Sequence, residues 1–176
     1  ALRALRRCGF NRISLGMQSA CNEELCAIGR VHTVEQVQQA VEAARKAKIK
    51  NVSLDLIYGL PHQTAEHWME NLAAAVALAP EHLSCYGLKV EERTPLYAVR
   101  DSAGLPGDEE QADMYLQTVE FLKQYGYVQY EISNFAKPGF ESRHNLKYWQ
   151  LQEYAGFGPG AHSDFGGVRY AYEKDV

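Results

Sequence analysis

The 176 residues are 46% apolar and 23% charged, the balance of an ordinary globular protein of one domain or slightly more. A net charge of −4, with basic residues scattered apart from Arg3, Arg6 and Arg7, gives no electrostatic footprint for nucleic acid. No apolar run reaches the ~18 residues of a membrane span and no signal-peptide pattern is visible, so a cytoplasmic setting is expected.

In chain order, an apolar strand is expected near 11–17, then a short helix over 22–28 ending at Gly29, with Arg30 in the loop beyond. Thr33 and Gln36 form a capping box for a helix with Val34, Val37, Val41 and Ala44 on one face. A second strand is expected at 51–58. Thr64 starts the next helix, with Trp68, Leu72, Ala75 and Val76 inward and Pro80 beyond its end. A third strand falls near 83–89, and residues 91–107, which hold Pro95, Gly104, Pro106 and Gly107, read as a long loop or linker. The next helix runs from Asp108 to about Tyr125, capped by Asp108 and Gln111, with Gly126 at its end. Residues 127–132 read as another strand, and 133–176 are rich in Gly and aromatics with no long helix.

Three stretches share a pattern: Ile13-Ser14-Leu15-Gly16, Val52-Ser53-Leu54-Asp55 and Leu83-Ser84-Cys85-Tyr86. Their serines lie 39 and 31 residues apart, the length of a βα unit, which predicts successive parallel strands. In that register Gly16, Asp55 and Tyr86 face one way, with Gln18 inward nearer the strand end. A cavity lined by such polar groups suits binding. Asp55 stands alone in an apolar strand, where an unbonded carboxylate is costly. It is either a ligand group at a strand end or a cap on a neighbouring loop.

Cys8, Cys21, Cys26 and Cys85 lack metal-site spacing and read as reduced structural thiols. In His144-Asn145-Leu146-Lys147-Tyr148-Trp149, a helical turn would stack His144 on Tyr148, and Asn145 on Trp149. A histidine beside large aromatics suits haem, but spacing alone favours a core aromatic turn with a bonded His. Gly156 to Ser163 reads as a close-packing turn, because Pro159 removes a donor that a phosphate cradle would use.

Asn11 to Ser19, Ile28 to His32, Asp55 to Pro61, Tyr130 to Asn134, His144 to Trp149 and Gly156 to Ser163, in this order, resemble the HemW-type haem chaperones. These are relatives of the oxygen-independent coproporphyrinogen III oxidases, within the radical S-adenosylmethionine (SAM) superfamily. The resemblance implies an α/β fold: the second half of a partial (β/α) barrel over residues 1–100, and the start of an α+β C-terminal extension over 101–176. It implies SAM contacts from Gln18, Arg30 and Asp55, and haem contacts from His144, Asn145, Tyr148 and Trp149. The family's Cys-x-x-x-Cys-x-x-Cys loop, which holds a [4Fe–4S] cluster, does not occur in this sequence. The chain is therefore expected to be a fragment with its cluster ligands upstream, leaving a strand edge and barrel-facing apolar surface uncovered. The His-Asn-x-x-Tyr-Trp signature favours haem binding and delivery to haem-accepting proteins. The alternative is oxidative decarboxylation of coproporphyrinogen III through a 5′-deoxyadenosyl radical. A barrel aldolase or isomerase fits less well, since it would want a Lys or metal-binding His inside the strands. Dimerisation stays open.

Overall fold

A computed structural model describes residues 1–174, which fall into two compact units, Ala1–Phe140 and the described residues from Glu141 onward. In the first unit a short helix, α1 (Leu2–Arg7), leads into β1 (Arg12–Gln18), followed by α2 (Asn22–Ala27), α3 (Val34–Lys46), β2 (Asn51–Tyr58), α4 (Ala65–Ala77) and β3 (His82–Gly87). The chain continues through α5 (Pro95–Val99), a 3₁₀ turn, α6 (Asp108–Gln124), β4 (Val128–Gln129) and β5 (Asn134–Ala136).

The three long strands are adjacent and parallel, in the order β1-β2-β3, as the βα repeat requires. This is the parallel α/β arrangement expected of successive βα units. The sheet then turns antiparallel: β5 pairs with β3, and β4 pairs with β5 at the far edge. Only two residues of the strand expected over 127–132 join the ladder, because the chain reverses before Asn134.

The helix signals act as expected. Thr33 accepts from Gln36 N and Gln36 caps Thr33 in return, while Thr64 caps α4. The cap of α6 differs. Gly107 precedes the helix, and its N–H is taken by Glu110 Oε2 at 2.8 Å, while Gln111 donates to Pro106 O at 2.9 Å. A glutamate three residues on reaches the N-cap amide, whereas Asp108 is already inside the first turn. The expected long loop contains α5, started by Thr94 with Pro95 at the first turn, where a missing N–H costs nothing.

One sheet face is apolar. Met17, Val52, Leu54, Leu56, Leu83 and Cys85 are buried in one cluster with Val41 and Ala44 of α3, Trp68 and Leu72 of α4, and Met114 and Leu122 of α6. Each fully buried side chain of this kind contributes about 1.5–3 kcal/mol. Trp68 packs tilted against Tyr58, with ring centroids 5.5 Å apart, and donates its indole N–H to Thr118 Oγ at 2.7 Å. The other sheet face carries Ser14, Gly16, Ser53, Asp55, His82, Ser84 and Tyr86. The surface expected to be apolar is thus polar, because strand alternation sends every large aliphatic of these strands except Ile57 to the helices.

The second unit contains α7 (Arg143–Trp149) and the hairpin β6 (His162–Phe165)–β7 (Val168–Ala171), turned at Gly166-Gly167 with φ of 64° and 74°. A Cβ at Gly156 would overlap the His162 carbonyl oxygen, and Ser163 Oγ takes Gly156 N–H at 2.9 Å. The glycine there permits a close backbone approach.

Candidate functional site

The polar face is ordered in levels set by strand register. Ser14 lies beside Ser53, and Ser53 beside His82. One level higher, Gly16 lies beside Asp55 and Asp55 beside Ser84, and above them Ile57 lies beside Tyr86. Gly16, Asp55 and Tyr86 do face one way, but Tyr86 stands one level above Asp55. Matching the three serines misplaces the third strand by two residues.

Asp55 is half-buried, with Ser14 Oγ 3.0 Å from one carboxylate oxygen and 2.9 Å from the other. A single hydroxyl proton leaves most of the carboxylate's acceptor capacity unused. Gln18 reaches this level by an irregular route. The β1–β2 ladder shifts between Gly16 and Gln18, Gln18 has φ 64°, and its amide folds over Gly16. A Cβ on Gly16 would come within 2.7 Å of Gln18 Nε2, so the glycine makes room for the amide beside Asp55's level.

Arg30 is placed separately. Gly29, with φ 69°, ends α2, and Arg30 N–H bonds back to Leu25 O at 2.9 Å. His32 Nε2 donates to Met17 O at 3.2 Å, tying this turn to the end of β1 next to Gln18. Arg30 lines a cavity of about 610 Å³ with Ile28, Ile57, Leu88, Pro95 and Leu96. Ile57 is two residues beyond Asp55 on the same face. Arg30 and Asp55 are therefore neighbours of one strand-end region, but Gln18 and Asp55 do not line the cavity itself.

Below Asp55 the face is closed. His82 Nδ1 lies 2.7 Å from Ser53 Oγ, and His82 Nε2 lies 2.8 Å from Tyr130 OH. Ser53 and His82 are buried. Desolvation, with Arg12 nearby, lowers the imidazole pKa to about 3, so His82 is neutral at ordinary pH. The strands thus do contain a histidine, at the first position of β3, one residue before the expected start. With both nitrogens occupied it is no free metal ligand. Burial likewise pushes up the Cys85 thiol, which lies on the helix side. Among the described residues, no group of three His, Cys, Asp or Glu side chains is arranged to hold a metal ion.

In the second unit the 144–149 segment is helical, with Ser142 capping α7 through Asn145 N at 3.4 Å. His144 and Tyr148 share a face: the Tyr148 hydroxyl lies 3.0 Å from His144 Nε2, with ring centroids 5.0 Å apart. Tyr148 packs edge-on against Tyr154 at 4.6 Å. His144 is exposed rather than a core residue, and Trp149 is 54% exposed. Asn145 is half-buried on the adjacent stripe.

Sequence reasoning missed Ser14 as Asp55's partner, His32 as an anchor, and the His82–Tyr130 pair. Ser14 was recoverable from its place two residues before Gly16 on one strand face. The others depend on contacts between distant segments.

A family profile described as Radical SAM superfamily matches residues 1–75. The chain is 44% identical over 170 residues to the haem chaperone HemW of Bacillus subtilis, covering 96% of this chain and 45% of that protein. It is 41% identical to the Escherichia coli haem chaperone HemW, over 89% of this chain and 41% of that protein. Among solved structures, the radical SAM enzyme coproporphyrinogen III oxidase (HemN) of Escherichia coli superposes with a TM-score of 0.81 at 26% identity. That superposition covers 99% of this chain and 43% of the oxidase. The chain thus spans less than half the length of these relatives. Among the described residues, no helix is long and apolar enough to cross a membrane.

Proposed function

We propose, from this chain's membership of the radical SAM superfamily in its HemW-type branch, that it holds a SAM-binding part and a haem-binding part of a protein that delivers haem to acceptor proteins in the cytosol. Residues 1–100 act as half of the barrel, and 101–176 as the C-terminal extension. The observation that carries the SAM assignment is the strand-end cluster: the Asp55 carboxylate, the Gln18 amide over Gly16, and Arg30 on the cavity wall. The carboxylate and amide suit hydroxyl or ammonium groups, and Arg30 is a fixed fork for a carboxylate. The apolar cavity beside Arg30 suits a flat ring. None of Cys8, Cys21, Cys26 and Cys85 takes part in holding a [4Fe–4S] cluster in this reading.

In full-length protein, Asp55→Ala should weaken SAM binding at least tenfold while the fold persists, since it removes an acceptor without opening a large apolar void. Isothermal titration of SAM measures this. Equal affinity in the folded variant rejects the role of Asp55.

Haem is assigned to α7. His144 offers an imidazole at the surface, and Tyr148 and Trp149 offer apolar rings beside it, with Asn145 on the neighbouring stripe. The exposure of His144 supports the ligand reading, whereas its contact with the Tyr148 hydroxyl is what a structural histidine would also make. Titration of haem into wild type and His144→Ala, followed by the Soret band, should show a shifted band and weaker binding in the variant. An unchanged spectrum and affinity would take His144 out of the haem site.

The oxidase reading is favoured by one observation, the 0.81 superposition on coproporphyrinogen III oxidase. The two readings part on turnover. A chaperone binds haem and releases it to an apoprotein, whereas an oxidase consumes coproporphyrinogen III with loss of two carboxyl groups as carbon dioxide.

A further inference from the structure

We infer that Glu24 is a positioning residue for the SAM site, holding the loops that carry Gln18 and Arg30 in one arrangement. The inference rests on the assignment of those two residues to SAM given above.

Glu24 lies on α2, 7% exposed, in a sequence context (Asn22-Glu23-Glu24) that reads as a solvated helix start. Three donors converge on its Oε2: Ser19 Oγ at 2.6 Å, Asn71 Nδ2 at 2.9 Å and Gln63 Nε2 at 3.0 Å. Its Oε1 is buried with no hydrogen-bond partner, and no described cation pairs with it. A buried carboxylate held only by neutral donors is poor value for stability, since apolar packing would serve as well. What the arrangement does supply is a junction between segments far apart in sequence.

Each donor belongs to a different piece of the strand-end region. Ser19 directly follows Gln18. Asn71, on α4, also accepts from Ala20 N. Gln63 uses its carbonyl oxygen to hold Gly59 N at 2.8 Å, at the turn that follows β2 and Asp55. Glu24 itself sits on the helix that ends in the Gly29 turn, where the Arg30 to Leu25 backbone bond leaves Arg30 little freedom relative to α2. The carboxylate therefore sets α2, and with it Arg30, against the ends of β1 and β2. Positioning to within a fraction of an ångström is what a multi-residue ligand site requires of its supporting contacts.

The test is SAM affinity in full-length wild type, Glu24→Gln, Arg30→Ala and the double variant. Glu24→Gln keeps shape and one acceptor, but removes the charge and replaces one carboxylate oxygen with an amide N–H₂ in the buried cluster. The expected result is a roughly tenfold rise in Kd in the wild-type background and a much smaller rise when Arg30 is already absent, because contacts acting through one group are not additive. Ser19→Ala, a milder change, should raise Kd in the same direction. An unchanged Kd in folded Glu24→Gln overturns the inference, as does the same fold-change with and without Arg30. If Glu24→Gln does not fold, an unchanged Kd in folded Ser19→Ala overturns it. Wild type that fails to bind SAM overturns the site assignment as well, whereas wild-type binding with loss in Arg30→Ala and none in Glu24→Gln removes Glu24 alone.

Discussion

Trp68→Ala should lower the unfolding free energy by about 3–5 kcal/mol, a large share of the 5–15 kcal/mol typical of a domain. Trp68 is fully buried between α4 and α6, and its loss removes the contact with the Tyr58 ring 5.5 Å away. It also removes the indole donor 2.7 Å from Thr118 Oγ; Thr118 itself stays bonded to Met114 O at 2.7 Å, so most of the cost is the cavity. Urea unfolding monitored by circular dichroism should show a lower midpoint with an unchanged slope. A loss under about 1 kcal/mol would mean that α4 and α6 close over the gap, contrary to the packing of a native core.

The second large effect is an acid limit set by His82. Its folded pKa, about 3, lies below the ordinary value of 6.5. The unfolded chain therefore binds this proton first as pH falls. The contribution of neutral His82 is complete above pH 6.5 and shrinks by about 1.4 kcal/mol per pH unit below it, until the folded imidazole also protonates near pH 3. Its two nitrogens face the Ser53 and Tyr130 hydroxyls rather than a carboxylate, and Arg12 nearby repels an imidazolium. Urea midpoints at pH 7, 6 and 5 should therefore fall more steeply for wild type than for His82→Gln. Slopes are the readout, since the substitution also disturbs two hydrogen bonds. Parallel pH dependences would show that His82 titrates normally in the fold.

Much of the first unit is legible in sequence because its signals are local. Alternation in Val52 to Ile57 and the capping residues Thr33 and Thr64 act within a few positions, and they fix strand faces and helix starts. Asp55 stands out locally as a carboxylate in an apolar strand, whereas the expectation that Gln18, Arg30 and Asp55 contact SAM comes from the family resemblance. What escapes is set by distant contacts. Nothing near Glu24 signals burial, since its partners lie on Ser19, Gln63 and Asn71. The two-residue β4 reads as a longer strand because Tyr130 to Ile132 have strand character, yet they serve in the reversal toward β5. Gln18's left-handed backbone is likewise invisible in composition.

The offset of the third serine has a consequence for how such a pocket can change. Ser84 sits level with Asp55, and Tyr86 one level higher. Sliding a strand by one residue would exchange its inward and outward faces and ruin the core. Sliding it by two keeps both faces and moves every inward group by about 6.6 Å along the strand. The depth of the cleft is therefore adjustable only in steps of that size. A descendant of this chain could bring a phenol where a small hydroxyl now stands without altering the helix-facing pattern at all.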